Sequence, residues 1–580
     1  MYQRAAVMSR SARAVLMILC SAAPLWLLAA CAPRVEPADL VLRNGTIATV
    51  DDARPTVEAV AARGDTIVAL GTNDEIARYV GEKTEVIDLA GRFATPGFID
   101  SHTHFTGIGQ ALMGLRLMDA TSWDEIVARV AEAVRKAQPG EWIVGRGWHQ
   151  EKWDRPPVPA VEGFPVHDAL SKVSPDNPVL LTHASGHATL ANAKAMALAG
   201  ITRRTPNPPG GEILKDARGN PIGVFRERAS NLVRSALAEA RGRRTPAEVE
   251  ADARREIELA VEECLSKGLT TVHDLGVPFE AIDRYKQAVA EGTLGVRLYV
   301  MVRDDNARMA ANLARYRVVN MGDKRLTVRT IKKSIDGALG PRGAWLLEPY
   351  ADMPSSTGLN TASIEEVTEA ARLAIANGYQ LAVHAIGDRA NRETLDIFEA
   401  AFRANPDKKD LRWRVEHAQH LNAAEIPRFG ALGVIPSMQG IHCTSDGPYV
   451  LARLGPARAA EGAYVWRSLL ATGAIIANGT DAPVEAVDPI ASFHASVTRL
   501  MKNGQVFYGA QKMTREEALR SYTLNGAYAA FEEDIKGSLA PGKLADITVF
   551  SKNLLTVPDE EIRGAEVVFT IVGGKVMYRK

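Results

Sequence analysis

Apolar positions along this chain fall into distinct textures. From Ala38 to about Ala94, short alternating runs such as "DLVLRNGTIATVDD" and "EVIDLAGRFATPG" are separated by Asn-Gly and Arg-Gly-Asp turns. Alternation of period two, punctuated by such turns, predicts short β-strands. The end of the chain, "GSLAPGKLADITVFSKN" and "EVVFTIVGGKVMYRK", has the same texture. Residues 38–94 and 537–580 are therefore expected to form one small composite β-sandwich. Between them, in 95–536, continuous apolar runs alternate with longer Ala-, Glu- and Arg-rich helical segments. The runs are "GFIDSHTH", "GLTTVHDLG", "GVRLYVMVR", "VRTIKKSIDG", "YQLAVHAIGD", "RWRVEHAQ", "LGVIPSMQG" and "AIIANGTDAP". Strands alternating with helices imply parallel βα units. Eight of them predict an α/β fold, a (β/α)8 TIM barrel.

The segment from about 106 to 240 is too long for one crossover. It carries strand-like pieces of its own, "EWIVGRGWHQEKW" and "PVLLTHASGHATL", and is expected to be a subdomain inserted after the first strand. At the start of the chain, Arg4, Arg10 and Arg13 precede the almost wholly apolar stretch Ala14 to Ala30, which ends in Leu28-Ala29-Ala30-Cys31. That order reads as a secretory signal. It also resembles the bacterial lipobox, in which the cysteine is lipidated. The expectation is a signal peptide over 1–31, with Cys31 as the lipidation site. The protein is then anchored to the membrane at the bacterial cell envelope, facing the periplasm; by the same resemblance Ala32 favours the outer membrane. The rival, a transmembrane anchor, needs a somewhat longer apolar run.

Charge narrows the partners. Lys+Arg and Asp+Glu both number 69 in 580 residues, so no nucleic-acid partner is expected. Cysteines occur only at 20, 31, 264 and 443, too few and too scattered for a disulfide framework or a thiolate metal site.

In such barrels chemistry sits at the C-terminal ends of the strands. The first strand ends in His102 and His104, which share one face because they are two residues apart. The fourth carries Lys332, the fifth ends in His384, the sixth in His417 and the eighth in Asp481. Each alone has a plain structural explanation: a satisfied histidine, a helix-capping aspartate, a solvated lysine. As an ordered set on one rim they point to a metal site, since imidazole and carboxylate suit Zn and similar divalent ions. Alternation puts Lys332, Ser334 and Asp336 on the interior face and Ile331, Lys333 and Ile335 against the helices. An ammonium repels a metal, so Lys332 could act only as a neutral amine or as a carbamate formed with CO2. Further candidates are substrate-binding His183 and His187 in "THASGH", Trp148, His149 and Trp153 as pocket walls, His442 on the rim, and more weakly Glu227. Asp388 and Glu416 are candidates for orienting the ligand histidines from behind. His273 is assigned to the core. The aromatic groups suggest an apolar substituent on the substrate.

The motifs "PGFIDSHTH", a strand-four lysine, "VHAIGD", "EHAQ" and "NGTDAPVE" resemble the amidohydrolase superfamily. "LTHASGHATLANAKAMALAGI", "PPGGEILKDARGNPIGVFRE" and "GKLADITVF" are similar to its amidohydrolase-3 branch, which includes N-substituted formamide deformylases. The resemblance covers nearly everything after the lipobox. It implies that His102, His104 and Asp481 bind the more buried metal, that carboxylated Lys332 bridges, and that His384 and His417 bind a second ion. The branch usually has a "VKLFADG"-like sequence where this chain has "IKKSIDG". The implied function is a metal-dependent hydrolase that cleaves a C–N bond of a small amide or formamide by metal-activated hydroxide, with Asp481 as general base and one or two divalent ions, zinc first, as cofactor. A mononuclear deaminase and a non-catalytic binding lipoprotein are the alternatives. A homodimer is compatible with the resemblance.

Overall fold

The computed structural model describes residues 35–580; the signal and lipobox expectation, with Cys31, lies outside the described residues. The centre of the fold is a parallel sheet of eight strands: β1 (Phe98–Thr103), β2 (Leu269–Val277), β3 (Arg297–Val302), β4 (Leu326–Ser334), β5 (Gln380–Ala385), β6 (Arg414–His417), β7 (Ile435–Gln439) and β8 (Ala477–Gly479). Each run of apolar residues identified in the sequence overlaps one of them. Strands buried on both faces read as continuous rather than alternating apolar runs, and β3 and β5 are buried at every position.

β8 returns to β1. Asp481 N donates to His102 O at 2.7 Å, and His104 N donates to Ala482 O at 2.8 Å. The Asp100 carboxylate accepts from Thr480 N at 3.0 Å and from its hydroxyl at 2.6 Å. Gly479 permits this approach: a Cβ there would lie 2.5 Å from His102 N. The helices between strands carry local start signals. Pro246–Ser266, which leads into β2, opens with Thr245 and Glu248 capping each other and Pro246 in its first turn.

Between β1 and β2 lies a six-stranded sheet in the order Gly211–Lys215, Pro221–Glu227, Ala188–Ala191, Val179–His183, Ile143–Trp148, Leu115–Arg116. Alternation along it feeds two apolar clusters. Leu181, Leu190 and Val224 meet Trp123 and Trp148 in one; Leu180, Ala191 and Phe225 meet Val233 in the other. The chain ends build a second pair of sheets. One is wholly N-terminal (Thr66–Gly71, Ala59–Arg63, Leu40–Arg43, Glu85–Asp88). In the other, Ile547–Phe550 lies antiparallel to Phe93–Pro96, flanked by Val567–Val572 on one side and Thr46–Ala48 on the other. Leu42, Ile47, Val60, Val549 and Ile571 share their core. This layer is fastened to the barrel by a buried bidentate pair, Arg297 Nε and Nη2 to the Asp546 carboxylate at 2.7 and 3.0 Å.

Candidate metal centre

At the C-terminal rim, His102, His417 and Asp481 are buried, and one ligand atom from each lies within 4.8 Å of the others. Each imidazole is oriented from behind. His102 Nδ1 lies 2.6 Å from Glu416 Oε2, and Glu416 is held in turn by Arg414 Nε at 2.7 Å. His417 Nδ1 lies 2.7 Å from Gln439 Oε1. A carboxylate or amide oxygen accepts Nδ1–H, so both rings turn an Nε2 lone pair toward the rim. His102 Nε2 and His104 Nε2 are each 3.4 Å from Asp481 Oδ1. His102 Nε2, His384 Nε2, His442 Nε2 and Asp481 Oδ1 are buried without a hydrogen-bond partner. Buried polar atoms are rarely left unpaired, and convergent unpaired imidazole nitrogens and a carboxylate oxygen are the donor set a divalent cation takes. The residues therefore fit a metal ion. His417 and Asp481 also adopt left-handed backbone conformations, φ +75° and +57°, which L residues hold only where the surroundings impose them.

The electrostatics divide by neighbour. Burial pushes the Asp481 carboxyl up, but His102 and His104 outweigh it and hold Asp481 well below its usual range. Glu416 is likewise held down against burial, by Arg414 and His102. Asp336 is pushed up to about 7 by burial, against three backbone N–H donors from Trp345, Ile386 and Gly387. Burial lowers His104 to about 4 and Lys332 to about 8. Both groups are thereby biased toward their neutral, metal-competent forms.

The remaining candidates separate into those at the rim and those turned away. The His384 ring centre is 4.4 Å from that of His417 and 4.9 Å from that of His187. His187 is oriented by Glu227, with Nδ1 2.7 Å from Oε2. Lys332 and His104 line an open cavity of about 570 Å3 in front of the cluster. Lys333, next to Lys332, also borders this cavity but is tied down, donating to Asp304 O and Glu366. His149 and His442 border a narrower space beside His417 and Asp481, with His442 Nε2 3.9 Å from Asp481 Oδ2. His273 Nδ1 meets Arg414 at 3.1 Å beneath the rim.

Several expectations need correction. Trp148 is not a pocket wall: it is fully buried, its Nε1–H donates to Leu181 O at 3.0 Å, and it packs near Trp153 and Phe164. His183 does not face a substrate, because Ser185 Oγ and Gln150 Oε1 occupy its two nitrogens. Asp388 does not orient His384. It opens the helix Asp388–Ala404 and accepts from Leu347 N at 2.9 Å, in a separate cavity with Arg392 and His420. The carboxylate beside His384 is Asp336, with Oδ1 3.4 Å from Nε2. The cavity is also charged rather than aromatic, since the tryptophans of the insertion serve its own core. Gln439 was not singled out as a partner, although a buried amide at a barrel-strand end is the available signal. Arg146, in "VGRGW", was also missed.

Comparison with known proteins agrees with this geometry. Residues 85–578 match the model of the amidohydrolase family. The LONG AFTER FAR-RED 3 protein of Arabidopsis thaliana is 33% identical over 93% of this chain and 92% of its own length. The N-substituted formamide deformylase of Arthrobacter pascens is 28% identical over 93% of this chain and 98% of its own. Among solved structures, an uncharacterized metal-dependent hydrolase of Pyrococcus horikoshii aligns with a TM-score of 0.71 and 26% identity, over 90% of this chain and 99% of that one. The match spans the barrel, the rim ligands and the sheet shared by the two ends: this chain belongs to the amidohydrolase family.

Proposed function

We propose that this protein is a metal-dependent hydrolase that cleaves a C–N bond in a small amide or formamide. The observation that carries this reading is the convergence of buried ligand atoms from His102, His417 and Asp481, with His102 Nε2 and Asp481 Oδ1 left without a hydrogen-bond partner. The kinship to a formamide deformylase supports the bond type. His102, His104, His417 and Asp481 would hold one ion. His384 would hold a second, with Lys332 between them as a carbamate: its side chain is buried on the interior face of β4 and, among the described residues, has no hydrogen-bond or ion-pair partner. A divalent cation held there, zinc by the ligand chemistry, would supply a water of lowered pKa and a Lewis acid for the scissile carbonyl. Asp481 takes the attacking water's proton and returns it to the departing nitrogen, so that water adds across the C–N bond to give a carboxylic acid and an amine. Glu416 and Gln439 keep His102 and His417 in the required tautomer throughout. Linkage to the cell envelope through Cys31 is the corresponding proposal for location; labelled palmitate incorporated into wild type but not Cys31→Ala is its test.

Chelator treatment tests the function. Amine release from a formamide panel should vanish with a zinc chelator and return with Zn and bicarbonate. Turnover that survives complete metal removal would falsify the proposal. A second reading, a mononuclear deaminase, is favoured by the clustering of ligand atoms around a single point. It requires ammonia as the product and about one ion per chain, whereas the bridged site requires about two.

A further inference from the structure

The cavity in front of the metal centre is lined by acidic and basic groups in similar number, but the two kinds are not equally free. Every carboxylate is engaged. Glu227 holds His187. Asp304 pairs with Arg308 at 3.0 Å, and Asp305 caps the helix Asn306–Tyr316. Asp336 accepts three backbone amides. Glu366 is shared by Lys333 and Arg228 at 3.3 and 3.4 Å.

Arg146, Arg234 and Arg303 have no carboxylate within ion-pair distance among the described residues. They touch only neutral oxygens. Arg146 donates to Pro483 O and Ala184 O at 3.1 and 3.0 Å, Arg234 to Gly186 O at 3.3 Å, and Arg303 to Ser334 Oγ at 3.2 Å. They are gathered by two glycines. At Gly186 (φ +76°) a Cβ would lie 3.4 Å from Arg146 Nη2, while its carbonyl receives Arg234. At Gly276 (φ +116°) a Cβ would lie 2.8 Å from the Arg303 Cβ and 3.1 Å from the Lys332 Cβ. Burial and the nearness of Arg234 lower Arg146 to about 10. Like charges gathered in a partly enclosed space are unfavourable until an anion enters, and guanidinium forks match a carboxylate in shape and hydrogen bonding.

We infer that the substrate is an amide bearing a carboxylate, with its scissile carbonyl at the His102–His417–Asp481 cluster and its carboxylate at Arg146, Arg234 and Arg303. This rests on the hydrolase reading above. The test compares N-formyl-leucine with N-formyl-leucinamide on the zinc-loaded full chain. The acid should be preferred in kcat/KM by about 100-fold or more, as for a desolvated charge pair. Arg234→Gln and Arg303→Gln should each cut that preference to below about 10-fold, and Arg234→Lys should retain part of it. Equal turnover of acid and amide, or a preference untouched by both glutamine variants, overturns the inference and leaves the hydrolase intact. If neither compound is hydrolysed, the hydrolase reading fails for this class, and calorimetric binding of N-formyl-leucine decides the anion site. Binding lost in Arg234→Gln upholds it, and no binding to wild type overturns it.

Discussion

Of the carboxylates buried near this end of the barrel, four form two contrasting pairs. Glu416 and Asp481, on the β6 and β8 side, face Arg414, His102 and His104, which hold them ionised. Asp274, within β2, and Asp336, just beyond β4, face chiefly neutral donors, and burial pushes them up to about 6 and about 7. Asp274 accepts from Tyr285 Oη and Phe105 N; Asp336 accepts from backbone amides. Burial is common to all four, so the neighbouring guanidinium and imidazoles make the difference. The ionised pair serves the ligands, one as ligand and one behind a ligand. The pair pushed upward ties loops and helix starts to the rim.

If this contrast is right, the largest loss follows damage to the ionised pair. Asp481→Asn, which keeps the shape and removes the base, should lower kcat/KM by about 10^3-fold or more in steady-state assays. Activity within tenfold of wild type would remove Asp481 from proton transfer. Next, metal content should distinguish the two halves of the rim. His102→Ala should lose all bound ion by elemental analysis, whereas Lys332→Ala should retain about one ion per chain and lose most activity; equal losses would erase the distinction. Glu416→Gln should weaken metal affinity or activity by about 10- to 100-fold, the usual effect of a group behind a ligand.

The smallest effect belongs to Asp274 and concerns stability. Its folded pKa lies above its unfolded value near 3.8. The stability it contributes is therefore present below that value and lost as pH rises through about 6. The shift corresponds to about 3 kcal/mol at most. Wild type should accordingly lose about that much relative to Asp274→Asn between pH 4 and pH 7 in denaturant titrations of the metal-free protein. A constant difference would mean that Asp274 is ionised in the folded state.

The barrel was legible because its strands are buried on both faces and end abruptly in polar residues, so the apolar runs and the ligands at their ends mark the same boundaries. Glu416 followed from its place next to His417. Asp388 shows the limit of that logic. It is only four residues from His384, yet a helix begins at Asp388 and carries it out of the rim, while Asp336, distant in sequence, comes alongside through the pairing of β4 with β5. Trp148 and His183 failed for a different reason. Alternation says that successive residues of a sheet face opposite ways, but not which face meets the cavity and which its own helices. The arginine cluster was hidden because its members come from three separate elements, and their lack of counter-charges is a property of space rather than of sequence.

The sheet shared by the chain's ends has a consequence for biosynthesis. Phe93–Pro96 leaves the ribosome early, but its neighbour Ile547–Phe550 is made more than four hundred residues later. Arg297 waits 249 residues for Asp546. Through most of translation the nascent chain therefore carries an open strand edge, joined in the second half by a guanidinium without its partner, the conditions under which chaperones are needed. A premature stop that removed only the last few dozen codons would strand the first-made part of the protein along with the last.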